Sequence, residues 1–233
     1  MKRGVIFDVG GVLAYDVWEH LLCDPAPKNK NAPDPVSISA EYGVPDDQLR
    51  EIGKELWGRY DDVTGDPLKL ERDYWQAFVS HPRCPDALTS VPIQTFIDKT
   101  NDFIRPANQD MATRLLEWLV SKGVRLGICS NNNEFWFRYQ ATTLGLYRFF
   151  APSSITLSCR HGITKGDFRL FHIAGHSLGL HPTECIFVDD RMSNVSRSVE
   201  CGMTGVLFPS EQFESEPQHG AEYLRRLLER IFA

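Results

Sequence analysis

Three short apolar runs stand out along the chain, and each stops at a side chain that carries oxygen. Val5-Ile6-Phe7 ends at Asp8, the run 124–129 ends at Ser130, and Ile186-Phe187-Val188 ends at Asp189-Asp190. Runs without alternation of apolar and polar positions suit strands buried on both faces of a parallel sheet. Helical patterns lie between them. Ala112, Leu115, Leu116 and Leu119 fall at i, i+3, i+4 and i+7, with Gly123 as the stop. Phe171, Ala174 and Leu178 mark a second helix, with Asp167 as its N-cap and Gly179 as its stop. A further strand is expected near 204–208 and a terminal helix from about 221. Strands alternating with helices predict an α/β fold built on a doubly wound, Rossmann-like parallel sheet.

The stretch 15–106 has a different pattern. A Pro/Asn/Lys-rich loop at 24–35 is followed only by helical spacings: Leu49, Ile52, Leu56 and Tyr60, then Leu70, Tyr74, Ala77 and Phe78. We therefore expect a core domain from 1–14 plus 107–233, with a helical domain inserted at 15–106. At 233 residues the chain is long enough for one domain carrying a small insertion. Its 42% hydrophobic and 24% charged residues exclude a disordered or collagen-like chain. A net charge of −6, from 31 acidic and 25 basic residues, argues against a nucleic-acid partner. No apolar run approaches the roughly 20 residues of a membrane span. Met-Lys-Arg-Gly passes straight into Val5-Ile6-Phe7-Asp8 without the apolar region of a signal peptide. Six cysteines with no CxxC spacing read as reduced, mostly buried thiols of an intracellular protein, not as a zinc site.

In an open α/β sheet, ligands bind beyond the carboxyl ends of the strands. Asp8, Ser130 and the pair Asp189-Asp190 should therefore converge on one crevice. Carboxylates packed together repel unless a cation sits among them, and hard oxygen donors without Cys or His favour Mg²⁺ over zinc. Lys165, in a loop just ahead of the helix that Asp167 caps, is a second cation at hand.

Four segments now resemble a known group. Phe7-Asp8-Val9-Gly10-Gly11-Val12-Leu13, Ile128-Cys129-Ser130-Asn131, Gly162-Ile163-Thr164-Lys165-Gly166-Asp167 and Val188-Asp189-Asp190-Arg191-Met192-Ser193-Asn194-Val195 look like the four motifs of the haloacid dehalogenase-like (HAD) hydrolase superfamily. The likeness covers roughly 1–14 and 107–208. It is nearest the branch that contains the phosphatase domain of soluble epoxide hydrolases, and the helical insertion looks like that family's C1-type cap. The resemblance implies that Asp8 is the nucleophile, forming an aspartyl-phosphate. Ser130 would hold a phosphoryl oxygen, with Gly11 and Asn131 beside it as phosphate-binding groups and the N–H of Asn132 as a further donor. Lys165 would offset the charge of nucleophile and phosphate. Asp8, Asp189, Asp190 and the backbone carbonyl of Gly10 would bind Mg²⁺, and Asn194 would steady the fourth motif.

Two positions depart from the family. Gly166 stands where a proline is usual, which loosens the lysine loop. Gly10 stands where most phosphatases of the superfamily carry a second Asp that protonates the leaving oxygen. Related dehalogenases also lack that Asp, but they lack the acidic pair as well, and this chain keeps it. Tyr15 and Asp16 are the nearby candidates for a replacement acid. Of the cap aromatics Trp18, Trp57, Tyr60, Tyr74, Trp75 and Phe78, most should be core. Of Phe135, Trp136, Phe137 and Tyr139, one or two should line a substrate cavity.

The expectation is a cytoplasmic, Mg²⁺-dependent phosphatase, monomeric or homodimeric. It would hydrolyse a small-molecule phosphate or diphosphate ester. A metal-independent dehalogenase-like hydrolase and a catalytically weak phosphate-ligand binding domain are the rival readings.

Overall fold

β1 (Gly4–Phe7) is buried along its whole length, as a strand must be when it has neighbours on both sides and helices on both faces. The computed structural model describes residues 2–14, 17–23, 36–60, 66–104, 111–213 and 217–232. After β1 the chain runs through α1 (Val17–Leu22), α2 (Ile38–Tyr42), α3 (Asp46–Tyr60), α4 (Pro67–Val79), α5 (Asp86–Thr89) and α6 (Ile93–Ile104). Between 17 and 104 every element among the described residues is a helix. The expected loop at 24–35 and the expected joint at 106/107 lie outside the described residues, and residue 15, at the other joint, does too.

A wide helical turn of the π type (Met111–Leu116) then leads into α7 (Glu117–Ser121). The wider turn lets Met111, Leu115, Leu116 and Leu119 all bury, and Gly123 ends the helix at a φ of 70°. There follow β2 (Arg125–Ser130), α8 (Glu134–Thr143), β3 (Ile155–Leu157), α9 (Ser158–His161), α10 (Phe168–Ser177), β4 (Cys185–Asp189), α11 (Met192–Glu200), β5 (Thr204–Leu207), α12 (Ser210–Phe213) and α13 (Pro217–Phe232). As expected, Asp167 caps α10, accepting from the Arg169 N–H, and Gly179 closes that segment at a φ of 61°. α13 opens at Pro217, four residues before the hydrophobic periodicity begins, because proline is tolerated in a first turn.

The strands form one parallel sheet in the order β3-β2-β1-β4-β5. Successive side chains alternate between two cores. Val5, Phe7, Ile128, Ile186 and Val188 join the core that is continuous with the inserted helices. Ile6, Cys129, Cys185 and Phe187 join a smaller one under α10. The chain steps from β1 outward to β2 and β3, then crosses back to β4 on the other side of β1. That reversal leaves a crevice at the carboxyl ends of β1 and β4.

The inserted helices close over this end. Tyr74 on α4 packs against Phe135 and Trp136 on α8 at ring distances of 6.1 and 6.2 Å, and Trp75 stacks on Phe96 at 5.0 Å. Tyr74, Trp75 and Phe78 are core, as expected, while the side chains of Trp18 and Tyr60 lie outside the described set. Glu71 is buried between α4 and α6. Burial pushes its carboxyl up to about 7, and the nearby Thr100 hydroxyl and Trp75 indole offset part of that rise. None of the six cysteines is in a disulfide, and Cys23, Cys84, Cys129 and Cys185 are buried. Among the described residues, no helix is long and apolar enough to cross a membrane.

Candidate active site

Asp8 follows the last residue of β1 and extends the β1–β4 ladder by one bond, its N–H donating to the Val188 carbonyl at 2.9 Å. Its Oδ1 accepts the Val9 N–H at 2.7 Å, and its Oδ2 lies 2.5 Å from Lys165 Nζ. One strand over, Ser130 ends β2 beside Leu157 of β3. The loop after it is fastened at three points. Asn133 caps α8 by accepting the Trp136 N–H at 3.0 Å, the Asn132 N–H donates to Ser158 Oγ at 3.0 Å, and Asn131 Oδ1 accepts the Lys165 N–H at 2.8 Å. The Asn132 N–H is thereby engaged, which leaves that of Asn131 as the backbone donor expected beside Ser130.

Lys165 is fully buried, with its ammonium between Asp8 and Asp189, 2.7 Å from Asp189 Oδ2, and over the Phe187 ring at 5.8 Å. Burial alone would pull its pKa down, but the charges of Asp8 and Asp189 more than reverse this and raise it. The glycine at 166 does not leave the lysine loop open. The Gly166 N–H, which proline would lack, donates to Thr164 Oγ1 at 3.2 Å, and the Asp167 N–H donates to the Thr164 carbonyl at 2.9 Å.

β4 supplies the acidic pair. Asp189 is fully buried, its pKa raised by desolvation and by the charge of Asp8 against the opposing pull of Lys165. The Arg191 N–H reaches its Oδ1 at 2.8 Å, and the Asn194 amide donates to both of its oxygens at 3.0 and 3.1 Å. Asn194 thus holds the Asp189 carboxylate from the first turns of α11. Asp190 Oδ2 accepts from Ser210 Oγ at 3.4 Å. Carboxylate oxygens of Asp8, Asp189 and Asp190 all lie within 4.8 Å of one another, an all-oxygen set of the kind that holds a hard divalent cation. Gly11 is required where it stands. Its φ is 72°, and a Cβ there would lie 2.1 Å from Asp190 Oδ2.

A cavity of about 330 Å³ opens above these groups. Asp8, Gly10, Ser130, Asn131, Lys165 and Asn194 line its core side. Lys54 and Trp57 of α3 and Trp136 and Gln140 of α8 also line it, as does Arg191. The structure therefore brings the expected residues to one place. Gly11 backs onto Asp190, and neither the buried Asp189 nor the half-buried Asp190 is among the residues that line the cavity. The sequence reading passed over Lys54, Trp57, Gln140 and Arg191 as site residues. For the first two a signal existed: positions i and i+3, off the Leu49, Ile52, Leu56 stripe. Tyr15 and Asp16 lie outside the described residues.

The family model for haloacid dehalogenase-like hydrolases matches residues 2–196. The chain belongs to that family, and it carries the family's hydrolase fold. Among curated relatives, it is 29% identical over 102 residues to a glyceraldehyde 3-phosphate phosphatase of Methanothermobacter thermautotrophicus, covering 43% of this chain and 44% of that one. It is 44% identical over 78 residues to flavin mononucleotide hydrolase 1 of Arabidopsis thaliana, covering 33% and 31%. The chain thus spans less than half the length of the curated relatives it matches. A HAD family enzyme of Bacteroides thetaiotaomicron, solved with magnesium and inorganic phosphate, shares the fold with a TM-score of 0.51 at 12% identity, covering 89% of this chain and 94% of that one.

Proposed function

We propose that this chain is a Mg²⁺-dependent phosphatase of small-molecule phosphate or diphosphate esters, working through an aspartyl-phosphate on Asp8. The observation that carries the reading is the Asp8 carboxylate itself. It is held at a strand end by the Val9 N–H and Lys165, beside two further carboxylates and under a cavity. The phosphatase names of the two curated relatives support it.

In this reading the Asp8 carboxylate attacks phosphorus, and the leaving oxygen departs with the electron pair of its bond to phosphorus. Water then cleaves the acyl phosphate and restores Asp8. Lys165 neutralises charge shared between nucleophile and phosphoryl group, and its fixed position costs no reorganisation during the step. The Ser130 hydroxyl, which makes no hydrogen bond among the described residues, and the Asn131 N–H hold phosphoryl oxygens. Asp8, Asp189, Asp190 and the Gly10 carbonyl would hold Mg²⁺, which when bound neutralises developing charge on the phosphoryl oxygens. Glycine at 10 offers no proton, so leaving groups that depart unprotonated are favoured: diphosphates, acyl phosphates and anomeric sugar phosphates. The aromatic cavity walls favour an apolar body. The enzyme would act in the cytoplasm as a monomer or homodimer, with no nucleic-acid partner. The acidic pair weighs against a metal-independent dehalogenase-like reaction, and a nucleophile set in place weighs against a domain that only binds.

The test is phosphate release from a panel of phosphorylated metabolites. Release should stop in EDTA, return with Mg²⁺, and be absent from a folded Asp8→Asn protein, whose side chain is nearly isosteric. Full hydrolysis in EDTA, or by Asp8→Asn, would overturn the reading.

A further inference from the structure

α3 shows three faces. At about 100° per residue, Leu49, Ile52 and Leu56 share one, and all three are buried in the core. Glu51, Glu55 and Arg59 share a second, where Arg83 pairs with Glu51 at 2.7 Å and with Glu55 at 2.8 Å, and Arg59 pairs with Glu55 at 2.5 Å. Lys54 and Trp57 occupy the third, and both line the cavity above Asp8. Lys54 takes part in no ion pair or hydrogen bond among the described residues.

The two lysines of this cavity therefore differ. Lys165 is already balanced by two carboxylates, at 2.5 and 2.7 Å. Among the described residues Lys54 is not, and it reaches the cavity lining from α3, whereas Asp8 and Ser130 reach it from the ends of β1 and β2. In the lining of the same cavity, Asn132 Nδ2, ahead of α8, donates to Gln140 Oε1 of α8 at 3.1 Å. That bond fixes the Gln140 amide with its NH₂ as the remaining donor. Trp57 and Trp136 are the aromatic residues that line the same cavity. At about 330 Å³ the cavity lies at the small end of the roughly 300–1,000 Å³ of small-molecule sites. It suits a compact ligand with both ends held.

Resting on the phosphatase reading of this same cavity, we infer that Lys54 is a specificity-determining residue: with Gln140 it binds a second anionic group, a carboxylate or a further phosphate, on the leaving portion of the substrate. Trp57 and Trp136 hold the body that joins this group to the reacting phosphoryl. A charge-assisted contact of this kind is worth about tenfold in kcat/KM.

The experiment uses four probes on the intact chain: phenyl phosphate, 4-carboxyphenyl phosphate, 1,4-phenylene bisphosphate and 4-(aminomethyl)phenyl phosphate. Wild type, Lys54→Gln and Lys54→Glu are compared. The ratio of kcat/KM for an anionic probe to that for phenyl phosphate should fall about tenfold in Lys54→Gln, mainly through KM. Lys54→Glu should shift preference to the aminomethyl probe. Comparing ratios between proteins cancels the probes' intrinsic reactivities. A loss confined to the carboxylate or to the bisphosphate probe supports the proposal and identifies which anion is read. Ratios unchanged in both variants, with phenyl phosphate hydrolysed, would overturn this proposal and leave the phosphatase reading standing. Release by the wild type from the anionic probes alone would support the proposal, whereas no release from any of the four probes would overturn both.

Discussion

Glu71 sets up a pH dependence that one substitution should remove. It lies on α4 at 3% exposure. In the folded chain its carboxyl is raised from 4.5 to about 7, chiefly by burial. The unfolded chain gives up this proton near 4.5, whereas the folded chain keeps it to about 7. Between those values the folded state binds more protons, so stability falls as pH rises through the window and levels off above it. The gap between 4.5 and about 7 corresponds to about 3 kcal/mol. Glu71→Gln keeps the shape and removes the charge. Its advantage over wild type should therefore grow from near zero at pH 4.5 to about 3 kcal/mol at pH 8. For a chain of this size that is a Tm difference of roughly 6–12 °C. Paired thermal and urea melts of the two proteins from pH 4.5 to 8 measure it, because every other titrating group is common to both. A stability difference that stays constant across the range, or a Gln variant less stable at pH 8, would refute the reasoning.

Gly11→Ala should weaken Mg²⁺ binding at least tenfold by titration calorimetry and abolish turnover. The new Cβ would lie 2.1 Å from Asp190 Oδ2, and the positive φ adds roughly 1–2 kcal/mol of strain. Retained Mg²⁺ affinity would mean that Asp190 is not a ligand. Gly10→Asp should flatten the dependence of kcat/KM on leaving-group pKa, because general-acid help is worth about 10²–10⁴-fold and falls mostly on poor leaving groups. Equal wild-type rates on good and poor leaving groups would mean that another residue supplies the proton.

The architecture was legible because burial on both faces leaves a plain mark. Short unalternating runs that stop at Asp8, Ser130 and Asp189-Asp190 can be read as parallel strands, and the carboxyl-end rule of such sheets then gathers their termini into one crevice. Asp167, Gly123 and Gly179 were legible for a similar reason, since caps and stops act through local backbone geometry. β3 was not, because Ile155-Thr156-Leu157 is too short to show a period and becomes a strand only by pairing with β2. The opening of α13 at Pro217 lay ahead of any apolar stripe.

What only the tertiary structure decided is how the gathered residues divide the work. Sequence places Lys165 near the site, but the long-range packing of its loop puts the ammonium between Asp8 and Asp189 and ties its backbone to Asn131. Ser158, from the far end of β3, takes the Asn132 N–H, and no local pattern encodes that bond. Lys54 and Trp57 look like an ordinary solvated helix face until α3 is laid over the carboxyl ends of the strands. Local rules of propensity and burial write the elements into the sequence. The pairing of charges and donors across 24 residues in one case and 34 in another depends on where those elements come to rest.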